Sequence, residues 1–364
     1  MPPLVASEAL GIKVIVPADT AGAFADLFGN FAKQVRQSRI EFPFATNRAR
    51  VGTNGFSSDL SDSLTYGAAS IMVVVPATAG DTAQAQPNSL TIKQRAHGEF
   101  MGELVGASRP EDVLVFVHGY RTSFVDACVG FGEFVYELRK LGFAGSTVLF
   151  SWPSVGGINA ILAEDRQAAE ASGPTLAGFL QELADAPLPG GAKRRRIHVL
   201  GHSMGTRVIT LAIEKVKLPG NPQKPFANIV FLAGEVGNLT LAPRFKFLTA
   251  GADRLTFYSS RNDYALQLAQ LYPVLALWAE KQAIEAPIGA SIWPDDAVEN
   301  IDCSRRATGI LGFSFNHSYY NDDPCVRRDV ALLLRGQGFS QRLPPLKNDH
   351  DQRTQMNYWY FPDR

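Results

Sequence analysis

Ser203 stands in Gly201-His202-Ser203-Met204-Gly205, between an apolar run, Ile197 to Leu200, and a stretch of helical apolar spacing, Thr206 to Val216. Strand, sharp turn and helix with a serine at the apex is the arrangement that lifts a hydroxyl nucleophile above a sheet edge. Such a turn forces strained backbone angles on the serine. It also brings strand and helix so close that only small residues fit beside it, which is the steric reason for Gly201 and Gly205. The Met204 N–H then lies at a helix N-terminus, where it favours a developing oxyanion.

A serine hydroxyl is a weak nucleophile and needs a histidine base held in the right tautomer by a carboxylate. The chain has six histidines. His97 lies in a polar segment, His118 ends an apolar strand in His118-Gly119-Tyr120-Arg121, and His198 is inside the elbow strand. His202 is on the turn itself, and His350 is in a charged tail. That leaves His317, in a loop after the last expected strand, above the strand C-termini where sites in open α/β sheets lie. The expected chain order is serine, acid, histidine. Asp263 follows the run Arg254 to Tyr258, and Glu235 follows the run Asn228 to Leu232; both are retained as candidate acids, and Asp263 also reads as a helix N-cap. The second oxyanion donor is expected on the loop after Val113 to Val117, where Gly119 lets the chain turn and Tyr120 offers its N–H.

The elements that must position these groups alternate. Apolar runs at Val113–Val117, Thr147–Phe150, Ile197–Leu200, Asn228–Leu232, Arg254–Tyr258 and Val298–Asp302 read as parallel strands. Helical spacing separates them at Ser123–Leu141, Gln167–Leu183 (interrupted at Gly173-Pro174), Thr206–Val216, Tyr264–Ala283 and Val326–Leu334. Strands alternating with helices predict an α/β fold, a mostly parallel sheet covered on both faces. Upstream, Phe42–Arg48 and Ala68–Val75 read as strands, 51–65 as loop, and 77–92 has no period. Residues 1–40 read as an appended segment, 41–336 as the α/β body, and 337–364 as a tail docking through Tyr358, Trp359, Tyr360 and Phe361.

At 364 residues and 46% hydrophobic the chain can bury a large core. Lys+Arg 35 against Asp+Glu 35 gives no net charge, which argues against nucleic acid or an anionic membrane as main partner. The one basic run, Lys193 to Arg196, reads as a solvated strand entrance. No apolar run reaches membrane-spanning length, and the N-terminus has no basic-then-apolar signal pattern, so a cytoplasmic protein is expected. Three cysteines make neither a disulfide framework nor a metal cluster: Cys128 reads as a small core residue, and Cys303 and Cys325 could pair in an oxidising compartment.

Together Phe44-Ala-Thr-Asn-Arg48, Phe116-Val-His-Gly-Tyr120, Leu149-Phe-Ser-Trp-Pro-Ser154, His202-Ser-Met-Gly205, Thr256-Phe-Tyr-Ser-Ser-Arg-Asn-Asp263 and His317-Ser-Tyr319 resemble a bacterial α/β-hydrolase family of unknown function, esterase/lipase-like and known as DUF900. The blocks span roughly 42–335. The resemblance implies an α/β-hydrolase fold with Ser203, Asp263 and His317 on the presumed triad. The chain departs from it at Ala233-Gly-Glu235, where the family usually shows Ala-Pro-Asp.

The leading expectation is a serine hydrolase acting on a small-molecule carboxylic ester, with no metal and no organic cofactor. Amides, peptides and thioesters use the same machinery, so an amidase, peptidase or thioesterase is the alternative, and a catalytically silent binding protein is a third reading. Trp152, His202 and Tyr319 are expected to contact substrate. The stretch 264–295, with its apolar helix, reads either as a lid or as core. Oligomeric state is left open.

Overall fold

The computed structural model of the protein describes residues 36–53, 55–75, 83–106, 112–155, 162–188, 195–217, 224–275, 286–306, 315–342 and 346–362, with backbone only at 36 and 271–275. The segment 1–35 and the second half of the expected helix 264–283 lie outside the described residues.

Eleven strands form one sheet. In chain order they are β1 (Arg36–Val51), β2 (Gly55–Val75), β3 (Gln84–Gln94), β4 (Asp112–Val117), β5 (Ser146–Ser151), β6 (Arg196–His202), β7 (Phe226–Leu232), β8 (Ala252–Ser259), β9 (Val298–Asp302), β10 (Lys347–Asp351) and β11 (Met356–Tyr360). The spatial order is β10-β11-β9-β8-β7-β6-β4-β5-β1-β2-β3. From β1 through β5, β4, β6, β7, β8 and β9 to β11 neighbours run parallel, and antiparallel β2–β3 and β10 close the two ends.

Alternation along each strand divides the core between the two faces. Val113, Val115 and Val117 of β4 join one apolar cluster, and Leu114 and Phe116 join the other. The first cluster is covered by α1 (His97–Val105), α3 (Leu162–Asp185) and α4 (Gly205–Ile213), the second by α2 (Phe124–Lys140) and α9 (Pro324–Leu334). Between them in sequence lie α5 (Asn238–Leu241), α6 (Phe245–Gly251), α7 (Tyr264–Leu275) and α8 (Tyr319–Asp322). Strands buried on both faces must be apolar throughout, which is why they stood out as continuous runs.

Three local readings are corrected. Residues 55–65 are strand, not loop: β2 pairs with β1 through Arg48↔Leu60, Arg50↔Phe56 and Val51↔Gly55, with bulges on either side of Arg48. Most of this hairpin end is exposed, so backbone pairing carries it, with Phe56 packing on Phe44 and Phe124 as its apolar anchor. Residues 84–94 likewise form β3. Helix α3 runs through Pro174 without a break, and Gly173 lies where α3 meets α4, with room for no side chain beside Leu211 Cβ. Cys128, Cys303 and Cys325 are free thiols. No helix among the described residues is long and apolar enough to cross a membrane.

Candidate active site

The parallel strands end on one side, and the chemistry-bearing loops rise there. After β6 the chain turns at Ser203, whose φ of 51° is a left-handed angle that a non-glycine residue holds only when its surroundings fix it. Ser203 N–H donates to Leu232 O (3.0 Å), and Glu235 N–H and Thr206 N–H both donate to Ser203 O (3.1 Å). These bonds pin the turn between β7 and α4. A Cβ at Gly205 would lie 2.4 Å from Val117 O and 2.5 Å from His118 O, backbone atoms that cannot yield. The turn therefore needs glycine there because β4 passes directly behind it.

His317 and Asp263 meet across 54 residues: His317 Nδ1 lies 2.7 Å from Asp263 Oδ2, with Asp263 fully buried. A carboxylate only accepts, so Nδ1 carries the proton and Nε2 is left as the acceptor. Asp263 Oδ1 accepts Leu266 N–H (3.0 Å), so the same side chain also caps α7. Left-handed angles at Phe315 (47°) and Asn316 (58°) swing the chain round to His317, and Tyr264 N–H ties that bend down by donating to Phe315 O (3.1 Å). Among the described residues neither Ser203 Oγ nor His317 Nε2 has a hydrogen-bond partner.

The other acid is placed elsewhere. Glu235 Oε1 accepts from Arg166 Nε (2.8 Å) and Glu235 Oε2 from Arg207 Nε (3.2 Å), so both oxygens serve a buried ion cluster instead of a histidine. Met204 is the N-cap of α4, and no described residue accepts from its N–H. Gly119 abuts the elbow: a Cβ there would be 2.9 Å from Ser203 Cβ and 2.9 Å from His202 Nδ1. That contact brings the Gly119–Tyr120 peptide against the nucleophile.

Of the three residues expected to contact substrate, Trp152 and Tyr319 are buried and hydrogen-bonded to backbone carbonyls. Trp152 is fully buried, stacked on His118 with ring centroids 5.3 Å apart, and its indole N–H donates to His118 O (2.8 Å). Tyr319 is buried and its hydroxyl donates to Tyr258 O (2.9 Å), bracing the end of β8. His202 is half-buried, 4.8 Å from the His317 ring by centroid, with Nε2 3.3 Å from His317 O. Burial first, then the neighbouring His317, pushes its pKa well below the usual histidine range, so it stays neutral and donates Nε2–H to that carbonyl. Tyr264 (47% exposed) and Leu268 (53%) lie in the stretch read as lid or core, and Phe315 (49%) was not singled out; together they place exposed apolar surface on the two segments that carry Asp263 and His317. Only their unusual exposure distinguishes them, and exposure is not written in residue type. No cluster of three or more His, Cys, Asp or Glu suited to a metal occurs among the described residues.

A mostly parallel sheet with a serine elbow between its central strand and the following helix is the architecture of an α/β hydrolase. The chain belongs to the family described as "Alpha/beta hydrolase of unknown function (DUF900)", which matches residues 93–334. No curated protein matches it. Among solved structures it is similar to phospholipase PlaB from Legionella pneumophila (13% identity, TM-score 0.27), with 49% of this chain and 44% of that one covered, so it spans less than half of PlaB. It is also similar to esterase B from Lactobacillus rhamnosis (12% identity, 88% and 96% covered, TM-score 0.28). A ferulic acid esterase from Streptomyces cinnamoneus is similar at 12% identity, 89% and 96% covered and a TM-score of 0.31. Likeness at this level carries no argument about substrate.

Proposed function

We propose that the protein is a serine hydrolase that cleaves a small carboxylic ester through an acyl-enzyme. The pairing of His317 Nδ1 with buried Asp263 at 2.7 Å, beside a strained serine elbow, is the observation that carries this reading. It leaves Nε2 as the basic nitrogen. In the proposed cycle His317 Nε2 takes the Ser203 Oγ proton as the oxygen attacks the carbonyl carbon. The N–H groups of Met204 and Tyr120 hold the oxyanion, and the protonated ring returns its proton to the departing alkoxide. Water activated by the same nitrogen then attacks the acyl-enzyme and frees Ser203. The Ser203–His317 hydrogen bond is expected to close when substrate fills the site, as such bonds commonly do. Exposed Tyr264, Leu268 and Phe315 support a substrate with an apolar portion.

Ser203→Ala should abolish both fluorophosphonate labelling and hydrolysis of p-nitrophenyl esters while shifting Tm by no more than about 2 °C, because it removes a single oxygen. Turnover surviving in that variant would refute the assignment. A panel of matched ester, thioester and anilide substrates separates the esterase reading from the thioesterase and amidase ones.

A further inference from the structure

The loop carrying Tyr120 rests on a buried polar lattice that the proposed reaction does not itself use. Its centre is Arg48, 1% exposed, on β1. Its Nε donates to Ser151 Oγ (2.9 Å), Nη1 to Ser154 O (3.0 Å) and Nη2 to Thr122 O (2.7 Å). No carboxylate of a described residue touches it; Asp165 is the foremost negative charge acting on it. Nη1 also donates to Ser57 O (3.2 Å), so the guanidinium fork spans acceptors on three separate segments, at Ser57, Thr122 and Ser151–Ser154, as no lysine could.

From Arg48 a chain of bonds runs to the loop. Gly119 O can only accept, so His118 Nδ1, 3.0 Å away, is the nitrogen that carries the proton. His118 Nε2 therefore accepts, and Ser151 Oγ at 3.2 Å supplies the hydroxyl proton, its oxygen being occupied by Arg48 Nε–H. Burial together with the Arg48 charge holds the His118 pKa down to about 3, so the ring keeps this tautomer across the neutral range. The Gly119–Tyr120 peptide is planar and trans, which sets its N–H opposite its C=O. Anchoring the carbonyl on His118 thus fixes the direction of the Tyr120 N–H. The rest of the loop is held as firmly: Arg121 N–H donates to Asp165 Oδ2 (3.1 Å) and Thr122 N–H to Ser154 Oγ (3.1 Å). Between these bonds Arg121 is kept at φ 57°, a strained angle that persists only where neighbours over-determine it.

We propose that Arg48 is a positioning residue for acyl transfer: through Ser151 and His118 it sets the tilt of the Gly119–Tyr120 peptide, and through Thr122 O it fixes the seat of the loop, so that the second oxyanion donor is aimed before substrate arrives. This rests on Ser203 being the nucleophile. It also accounts for two sequence blocks that the triad leaves unused, Phe44-Ala-Thr-Asn-Arg48 and Leu149-Phe-Ser-Trp-Pro-Ser154, which supply the arginine and its acceptors.

The test compares wild type, Ser203→Ala, Arg48→Lys and Ser151→Ala for kcat per fluorophosphonate-titrated site, for KM, and for the affinity of a trifluoromethyl ketone, whose hemiketal oxyanion fills the hole. Arg48→Lys keeps the charge and loses the fork. Its kcat should fall about 30- to 100-fold with KM changed less than about threefold, somewhat less than deleting an oxyanion donor outright. Ketone affinity should fall by the same factor. A purely structural role would lower the titratable fraction and Tm but spare the kcat of the sites that remain. A folded Arg48→Lys with kcat within about threefold of wild type, or with ketone affinity unchanged, overturns the proposal. If Arg48→Lys does not fold, Ser151→Ala decides, since it removes the hydroxyl that links Arg48 Nε to His118 Nε2 while leaving the arginine in place. A parallel loss of about tenfold in kcat and ketone affinity supports the proposal, and no loss overturns it. Labelling absent in wild type, or retained in Ser203→Ala, instead removes the nucleophile reading and the proposal with it.

Discussion

Asp263 uses its two carboxylate oxygens on different partners, Oδ1 on the N-terminus of α7 and Oδ2 on His317, and the two uses can be separated. In Asp263→Asn the amide oxygen still caps the helix, but the NH2 group faces His317 Nδ1 and drives the proton onto Nε2, where it cannot accept from Ser203. We expect kcat to fall by roughly 10³- to 10⁴-fold with Tm nearly unchanged. Glu235→Gln should do the reverse: it leaves Arg166 and Arg207 around a neutral group and costs roughly 3 kcal/mol of stability, while the folded fraction keeps most of its kcat. Urea titrations and steady-state kinetics on both variants check the pair, and equal effects on stability and rate in either would undo the division of roles. From sequence both acids close a strand ahead of His317, with Asp263 the leading candidate and Glu235 the alternative. What divides them is a pair of arginines 69 and 28 residues from Glu235, partners that no local pattern announces. The elbow was legible because its glycines are demanded by contacts within a few residues and the adjacent strand. Arg48 was legible only as part of a familiar block, since its acceptors are scattered over a hundred residues of chain.

Helix α7 is neither a plain core helix nor a free cover. Leu266 is buried against Gly289, whereas Tyr264 and Leu268, two residues to either side of it, are exposed beside the Asp263 turn. If that face receives the apolar part of an ester, Leu268→Ser should raise KM for p-nitrophenyl octanoate about tenfold, the effect of losing roughly two methylenes' worth of burial, and leave the acetate ester within about twofold. Equal changes for the two esters would show that the face is not part of the acyl path. The wide apolar pattern of this helix could not distinguish lid from core, because both demand the same residues. Parallel β4 to β9 were readable for the opposite reason: only a strand buried on both faces is apolar without alternation. At the far edge of the sheet pairing dominates. In β10 every residue from Lys347 to His350 is exposed, and the strand conformation comes from the ladder to Met356–Tyr360 on β11.

At the scale of the molecule the charges balance, Lys+Arg 35 against Asp+Glu 35, so near neutrality little global repulsion tilts stability with pH and individual buried groups set the slope. Two of them are histidines whose folded pKa lies below the unfolded 6.5: His118 at about 3, through burial and Arg48, and His202 well below, through burial and His317. Between the folded and unfolded values the unfolded chain binds the extra proton and the folded one does not, so stability rises with pH across that window and is lost as pH falls below 6.5. At pH 5 His118 alone contributes about 2 kcal/mol of loss, from about 1.5 pH units at about 1.4 kcal/mol each. Asp329 and Glu133, whose pKa values burial raises, lean the other way, because the folded state binds their protons first. His118 and His202 both brace the site, one under the Gly119 carbonyl and one against the His317 loop, so acid should loosen the active end of the sheet along with the fold. Urea unfolding at about pH 7.5, 6.5 and 5 should give a stability that declines toward pH 5, with a net uptake of at least about one proton on unfolding near pH 5.5. A flat or rising stability over that interval would mean that one or both rings are already protonated in the folded protein. If that ring is His118, its Nε2 would be a donor opposed to Arg48, and the tautomer on which the Tyr120 loop depends would not exist.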